Sequence, residues 1–213
     1  MLDFMATVFL TFLVVFDPLA VLPVFIALTQ YQSAEYRRKT AIRSINVAAL
    51  TLIVLAFLGN ALLQYLGISI PAFRIGGGLL LFLLSIDMVF ARQSGLRSTT
   101  PAENKEASDN EDIAVFPLAI PLIAGPGAMT SLILLMGRAD SDPATNAVVI
   151  VIMLAVLAIC LVTMLLANPI SERLGVTGIN VIGRVFGVML AALAAQYVID
   201  GVSAVAAGLR ASP

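Results

Sequence analysis

The sequence predicts an all-α polytopic membrane protein: six transmembrane helices in two inverted three-helix repeats, with helices 1 and 4 interrupted. Three observations lead there. The chain is 60% hydrophobic and only 12% charged, with a mean hydropathy of +1.03, whereas soluble domains carry about 25% charged residues. Residues 18–34, 44–73, 113–137 and 143–171 contain no Asp, Glu, Lys or Arg, and a span needs about 20 mostly apolar residues. Short motifs also recur in the same order in the two halves of the chain.

Taken in order, the first span covers about residues 4–28 and carries Asp17-Pro18 near its middle. The second, about 42–64, contains Asn46, a polar residue able to reach a cavity or bond a neighbouring helix. The third, about 71–91, holds Arg74, the small face Gly76-Gly77-Gly78, and Asp87. A smooth glycine face points to close helix packing, and no strand precedes it as a phosphate loop would require. Residues 92–112, "RQSGLRSTTPAENKEASDNED", are polar, charged and aperiodic, and read as a flexible cytoplasmic loop. It separates a first repeat, 1–91, from a second, 113–213. The fourth span, about 113–136, contains "IPLIAGPGAMTSL". The fifth, about 145–167, is apolar, and the sixth, about 179–201, holds Arg184 and Asp200.

Basic residues set the orientation. Arg37, Arg38, Lys39, Arg43, Arg92, Arg97, Lys105 and Arg173 fall in odd-numbered connections, against Arg138 and Arg210 on the other side. By the positive-inside bias the odd connections are cytoplasmic and both termini lie outside. No Lys or Arg precedes Arg37, so the first apolar stretch reads as a retained span rather than a secretory signal.

The repeat rests on three matches. "LGIS" at Leu66 recurs as "LGVT" at Leu174, and "FDPLA" at Phe16 aligns with "AGPGA" at Ala124, both at an offset of 108. "RIGGG" at Arg74 matches "RVFG" at Arg184 at an offset of 110. Each half has three spans, and an odd number turns the second half over. Inverted repeats around interrupted helices are a recurring plan of secondary transporters, with the solute site near the midplane.

The interruptions explain what such a site is made of. Pro126 lacks an amide hydrogen and breaks the helix ladder, and Gly125 and Gly127 let the chain unwind. Freed backbone groups must be buried in protein or line a wet cavity. A half-helix starting near Pro126 aims its amides into that cavity, with the Thr130 and Ser131 hydroxyls close behind. Asp17 and Pro18 suit the cap and first residue of a second such half-helix. Two helix ends meeting near the midplane suit a small solute with a carboxylate. A charge at mid-membrane costs roughly 2.5–3.5 kcal/mol on insertion scales, so Asp17 should face inward, to bind an ammonium, carry a proton or cap its own half-helix. Turning one half over also suggests Arg74 with Asp200, and Arg184 with Asp87, as ion-pair gates; snorkelling or fixed pairing is the alternative.

Several classes are excluded or disfavoured. The chain has no histidine, which rules out His-based zinc, triad and dyad chemistry. There is no cofactor motif, no metal set and no basic aromatic patch for nucleic acid. Cys160 is the only cysteine, so an internal disulfide is excluded.

"FDPLAVLPVFIALT", "GISIPAFRIGGG", "FPLAIPLIAGPGAMTS" and "GRVFGVMLAALAAQYVIDGV" together resemble the MarC (UPF0056-type) family of bacterial and archaeal inner-membrane proteins over nearly the whole chain. The resemblance implies six spans in two inverted repeats and kinship with LysE-type exporters. Through the SnatA members it implies transport of small neutral amino acids such as glycine and alanine. The family's first-span Asn/Asp-Pro motif falls on Asp17-Pro18 and its Gly-Pro-Gly motif on Gly125, Pro126 and Gly127; Ala20 stands where many relatives have glycine. The expectation is therefore a non-enzymatic secondary transporter of small neutral amino acids, with H⁺ or Na⁺ as coupling ion and an oligomer left open. Its rivals are a non-transporting scaffold or channel, an exporter of other small solutes, and a membrane-embedded enzyme.

Overall fold

The computed structural model describes residues 1–91, 113–138 and 142–211. The stretch 92–112, expected as a flexible loop, lies outside them. Among the described residues every element is helical and none is a strand. They are α1 (Leu2–Phe16), α2 (Val21–Thr29), α3 (Ala34–Tyr65), α4 (Ile70–Val89), the loosely wound α5 (Ala114–Ile123), α6 (Pro126–Arg138), α7 (Pro143–Leu165) and α8 (Ala167–Ala211). Four are long and apolar enough to cross a membrane, and the crossings become six when the bent pairs α1–α2 and α5–α6 each count as one. Leu50, Phe57, Val151 and Val188 stand exposed on their helices, an arrangement that suits lipid rather than water.

Side-chain caps decide where helices begin. Ser33 Oγ accepts the Tyr36 amide at 3.2 Å, and Glu35 and Lys39 pair at 2.8 Å along the first turns. Consequently α3 starts at Ala34, and Arg37, Arg38, Lys39 and Arg43 lie on its opening turns rather than in the loop the sequence suggested. α7 opens the same way, with Asp142 capping the Ala144 and Thr145 amides. The last element joins two helical pieces, a short one before Gly175 and the sixth crossing after it, close to its expected start. It runs from Ala167, and Gly175 (φ 62, ψ 176) breaks it into those two pieces. Gly67, just before α4, has φ 69. Nothing lies within 4 Å of where a Cβ would sit at either glycine; the left-handed backbone is what requires glycine there.

Lipid supplies no hydrophobic drive between helices, so close backbone approach must do the work. α4 and α8 achieve it: Gly201 meets Pro71 and Ile75, Gly78 meets Ala194 and Tyr197, and Gly187 meets Met88 and Val89. Rising numbers on one helix meet falling numbers on the other, so the two run antiparallel. α4 is likewise antiparallel to α6, with Gly77 against Thr130 and Leu81 against Gly127. Elsewhere α1 packs on α7 as α5 packs on α3, and α1 packs on α6 as α5 packs on α2; α3–α7 contacts complete the bundle.

Candidate functional site at the interrupted crossings

Both breaks fall near the middle of their crossing, with bends of 41° between α1 and α2 and 55° between α5 and α6. At the first, Pro18 disfavours the α conformation in the residue before it. Asp17 adopts φ 44, ψ 73 and ends α1, its N–H still bonded to Leu13 O. This corrects the expectation that Asp17 caps a half-helix beginning at Pro18. The chain makes a turn through residues 17–20, and α2 starts only at Val21. Asp17 is the clasp of that turn: Ala20 N–H donates to its carbonyl at 3.0 Å and to its Oδ1 at 3.3 Å. The side chain is fully buried.

The second break is built differently. α5 has extended backbone at Phe116 and Ile120, before Pro117 and Pro121, and ends with Ala124 N–H on Ala119 O at 2.8 Å. A Cβ on Gly125 would run into the Pro121 carbonyl oxygen, so only glycine lets the chain fold back this tightly. α6 then starts at Pro126, and Met129 N–H returns to Gly125 O at 3.0 Å. The amides of Gly127 and Ala128 have no carbonyl one turn back to accept them, and Gly125 offers no side chain to cap them. Gly127, Thr130 and Ser131 are buried, Gly125 is half-buried and Pro126 exposed. Ser131 is 0% exposed, yet its Oγ has no hydrogen-bond partner.

The two breaks adjoin. A Cβ on Gly127 would lie 3.7 Å from Val15, two residues before Asp17, with Leu81 and Leu84 of α4 on its other side. Asp17, Pro18, Gly125, Pro126, Gly127, Thr130 and Ser131 therefore belong to one region, walled by α4. Asn46 is not part of it. It is exposed on α3 beside Lys39, Ile42, Arg43, Val47 and Leu50, which line a groove of about 340 Å³.

The four charged residues divide. The α4–α8 register puts Arg74 level with Asp200, because Gly201 touches Ile75. Arg74 Nε is buried without a hydrogen-bond partner, while Asp200 accepts from Gln196 Nε2 at 2.6 Å. Gly187 meets Met88, which carries exposed Arg184 about one turn past half-buried Asp87. Sequence reasoning missed Asn60 and Asn146, whose Oδ1 atoms are also buried and unpartnered, and the bond from Arg37 to Asn168. The signal was available: Asn168 stands 108 residues after Asn60, the same offset as the LGIS/LGVT and FDPLA/AGPGA matches. Among the described residues no group of His, Cys, Asp and Glu could hold a metal.

Known proteins bear on this arrangement through both family and individual likeness. The profile described as "MarC family integral membrane protein" matches residues 2–206. An Archaeoglobus fulgidus UPF0056 membrane protein is 36% identical over 95% of this chain and 93% of its own length. UPF0056 membrane protein YhcE of Escherichia coli is 37% identical over 91% of this chain and 89% of its own. UPF0056 membrane protein MJ1677 of Methanocaldococcus jannaschii is 36% identical over 88% and 90%. No solved structure matches. With the match running from residue 2 through both interrupted crossings to residue 206 of the last helix, the chain belongs to the MarC family of integral membrane proteins.

Proposed function

We propose that the protein is a secondary transporter of small neutral amino acids that works by alternating access around the junction of its two interrupted crossings. The observation that carries this reading is Ser131. A fully buried hydroxyl oxygen with no partner is costly, and Ser131 stands five residues after Pro126 in a helix preceded by Gly125, which has no side chain to cap the first amides. Together they form a set of donors suited to a carboxylate. The ammonium of a zwitterion would then meet backbone carbonyls where α1 ends, the Asp17 carboxylate being engaged in its own turn. H⁺ or Na⁺ remain the candidate coupling ions, and the solute would cross a bacterial or archaeal inner membrane with both termini outside.

Alternating access would follow if the halves are inverted repeats, and several correspondences support that reading. The breaks at Pro18 and Pro126, the capped helix starts after Ser33 and Asp142, and the left-handed glycines Gly67 and Gly175 recur at offsets of 108 or 109. The packing pairs also exchange largely with one another when the halves are swapped. Ligand binding to the native state raises stability by mass action, about 2.7 kcal/mol at a hundred times Kd. A thermal-shift screen of the twenty amino acids on purified protein should pick out glycine or alanine, followed by saturable, stereoselective uptake into proteoliposomes. Replacing Pro126 and Gly127 together with Ala should abolish that uptake in a folded protein; uptake at the unmodified rate would refute the site. A channel or scaffold predicts no saturation at all.

A further inference from the structure

The two ends of the α3–α7 pair differ in how their polar side chains are paired. Where α3 begins, Arg37 Nη2 donates to Asn168 Oδ1 at 2.9 Å, with its guanidinium 5.7 Å from the centre of the Phe25 ring. Arg37 sits four residues after the Ser33 cap, its N–H on Ser33 O at 3.0 Å. Asn168 sits seven residues before Gly175, one of the left-handed glycines. The same two positions in the opposite halves are Asn146 and Asn60. Asn146 is four residues after the Asp142 cap, its N–H on Asp142 O at 3.0 Å. Asn60 is seven residues before Gly67, the other left-handed glycine.

Asn60 and Asn146 also share one end of the bundle. α4 runs antiparallel to α6, so the end where α3 hands over to α4 is the end where α6 finishes and α7 starts. Both lie on inward stripes: Asn60 stands between Gly59 and Leu63 of α3, and Asn146 one turn before Val149 of α7. Both Oδ1 atoms are buried without a hydrogen-bond partner.

We propose that Asn60 and Asn146 are the two halves of a second latch, which forms when the Arg37–Asn168 latch breaks and is broken, as here, when Arg37–Asn168 is made. The proposal rests on the inverted-repeat, alternating-access reading above and adds which side chains hold each end shut. Each carboxamide carries a donor and an acceptor, so the two can bond each other. Leaving both oxygens unpaired raises the energy of the present conformation at their end. The guanidinium bond offsets this at the other end, because charge-assisted bonds are roughly twice as strong as neutral ones. The resting protein is therefore closed at the Arg37 end, and bound solute tips a balance between two alternative bonds.

The test reads conformation without any solute, so an absence of amino acid transport would leave its outcome interpretable. In a Cys160→Ala background, Ala41→Cys places a reporter thiol one turn inside Arg37, at a position that is fully buried. A hydrophilic maleimide is applied to membranes containing each variant. Arg37→Ala should raise the labelling rate by about two- to fivefold, the scale of losing one solvent-exposed contact to a charged group. Arg37→Gln replaces it if gel filtration shows that Arg37→Ala has not folded. With Arg37 intact, Asn60→Asp combined with Asn146→Lys turns the second latch into an ion pair and should also speed labelling. Unchanged labelling in the Arg37 variant, or unchanged or slower labelling in a folded protein carrying both Asn60→Asp and Asn146→Lys, would overturn the proposal.

Discussion

The two breaks occupy matching positions, yet one is self-sufficient and the other is not. The α1–α2 break spreads its bend over residues 17–20 and uses an acid to hold the turn: Asp17 satisfies the Ala20 amide with both its main chain and its side chain. The α5–α6 break is sharper, has no side-chain cap at its helix start, and leaves Ser131 Oγ without a partner. A protein gains nothing in stability from an uncapped helix start beside a buried, unpaired hydroxyl. The comparison teaches that proline placement makes the break, while the side chains around it, Asp17 before Pro18 and Ser131 after Pro126, decide whether its polar groups are satisfied from within.

The largest effect expected concerns the wall both breaks share. A Cβ on Gly77 would overlap the Thr130 methyl group, whereas nothing lies within 4 Å of one on Gly76. Gly77→Ala should cost about 1–3 kcal/mol through overpacking, read as a fall in Tm. Thr130→Ser, which deletes that methyl, should restore much of it. Gly76→Ala should be neutral or add up to about 1 kcal/mol from helix propensity. Equal losses at the two glycines would mean that α4 and α6 do not meet at Thr130.

Next come the breaks themselves, which should respond in opposite directions. Ser131→Ala removes an unsatisfied buried oxygen and should raise the stability of the solute-free protein by about 1 kcal/mol, while erasing the thermal shift produced by an amino acid. Asp17→Ala removes the side-chain half of the clasp on Ala20 and should lower stability by about 0.5–1.5 kcal/mol, with the shift retained in whatever protein stays folded. Asp17→Asn keeps an acceptor for Ala20 and should stay close to the unsubstituted protein on both measures. A lost thermal shift in Asp17→Asn would move solute recognition to the first break.

Legibility followed the same division. The crossings were readable because long charge-free runs have few soluble alternatives, and the breaks were readable because Pro18, Pro126 and their glycines have few helical ones. The local role of Asp17 was not, because a good capping residue next to a proline fits two geometries. Only the backbone (left-handed at Asp17, with three more residues before α2) tells them apart. Helix ends are harder to read where polar residues continue a helix past its apolar part, as at Arg37 to Arg43, or where a short helix abuts a crossing, as before Gly175. Asn46 shows the opposite limit: its helical phase sets it off the stripe of Ala41, Ile45, Ala48 and Leu52, a periodicity the sequence did contain. Contacts such as Gly77 with Thr130, 53 residues apart in the chain, leave no local trace.

The smallest effect compares two side-chain-capped helix starts 109 residues apart, at Ser33 and Asp142. α3 is capped by Ser33, which does not titrate near neutrality, and α7 by Asp142. The hydrogen bond from the Thr145 hydroxyl, followed by that from the Thr145 amide, holds the Asp142 carboxyl below its ordinary value. A depressed carboxylate pKa means that the cap is fully present above the ordinary aspartate range, near 3.9, and is lost as pH falls through the lower folded value. Acid should therefore loosen the start of α7 and leave that of α3 unchanged. Amide hydrogen exchange, corrected for intrinsic rates, should show Ala144 and Thr145 losing protection below about pH 4 while Tyr36 keeps its own. Asp142→Asn should remove the difference, since its amide still accepts but no longer titrates in that range. If both starts loosened together, the cause would be general acid unfolding, and the equivalence of the two caps would carry no independent weight for the repeat.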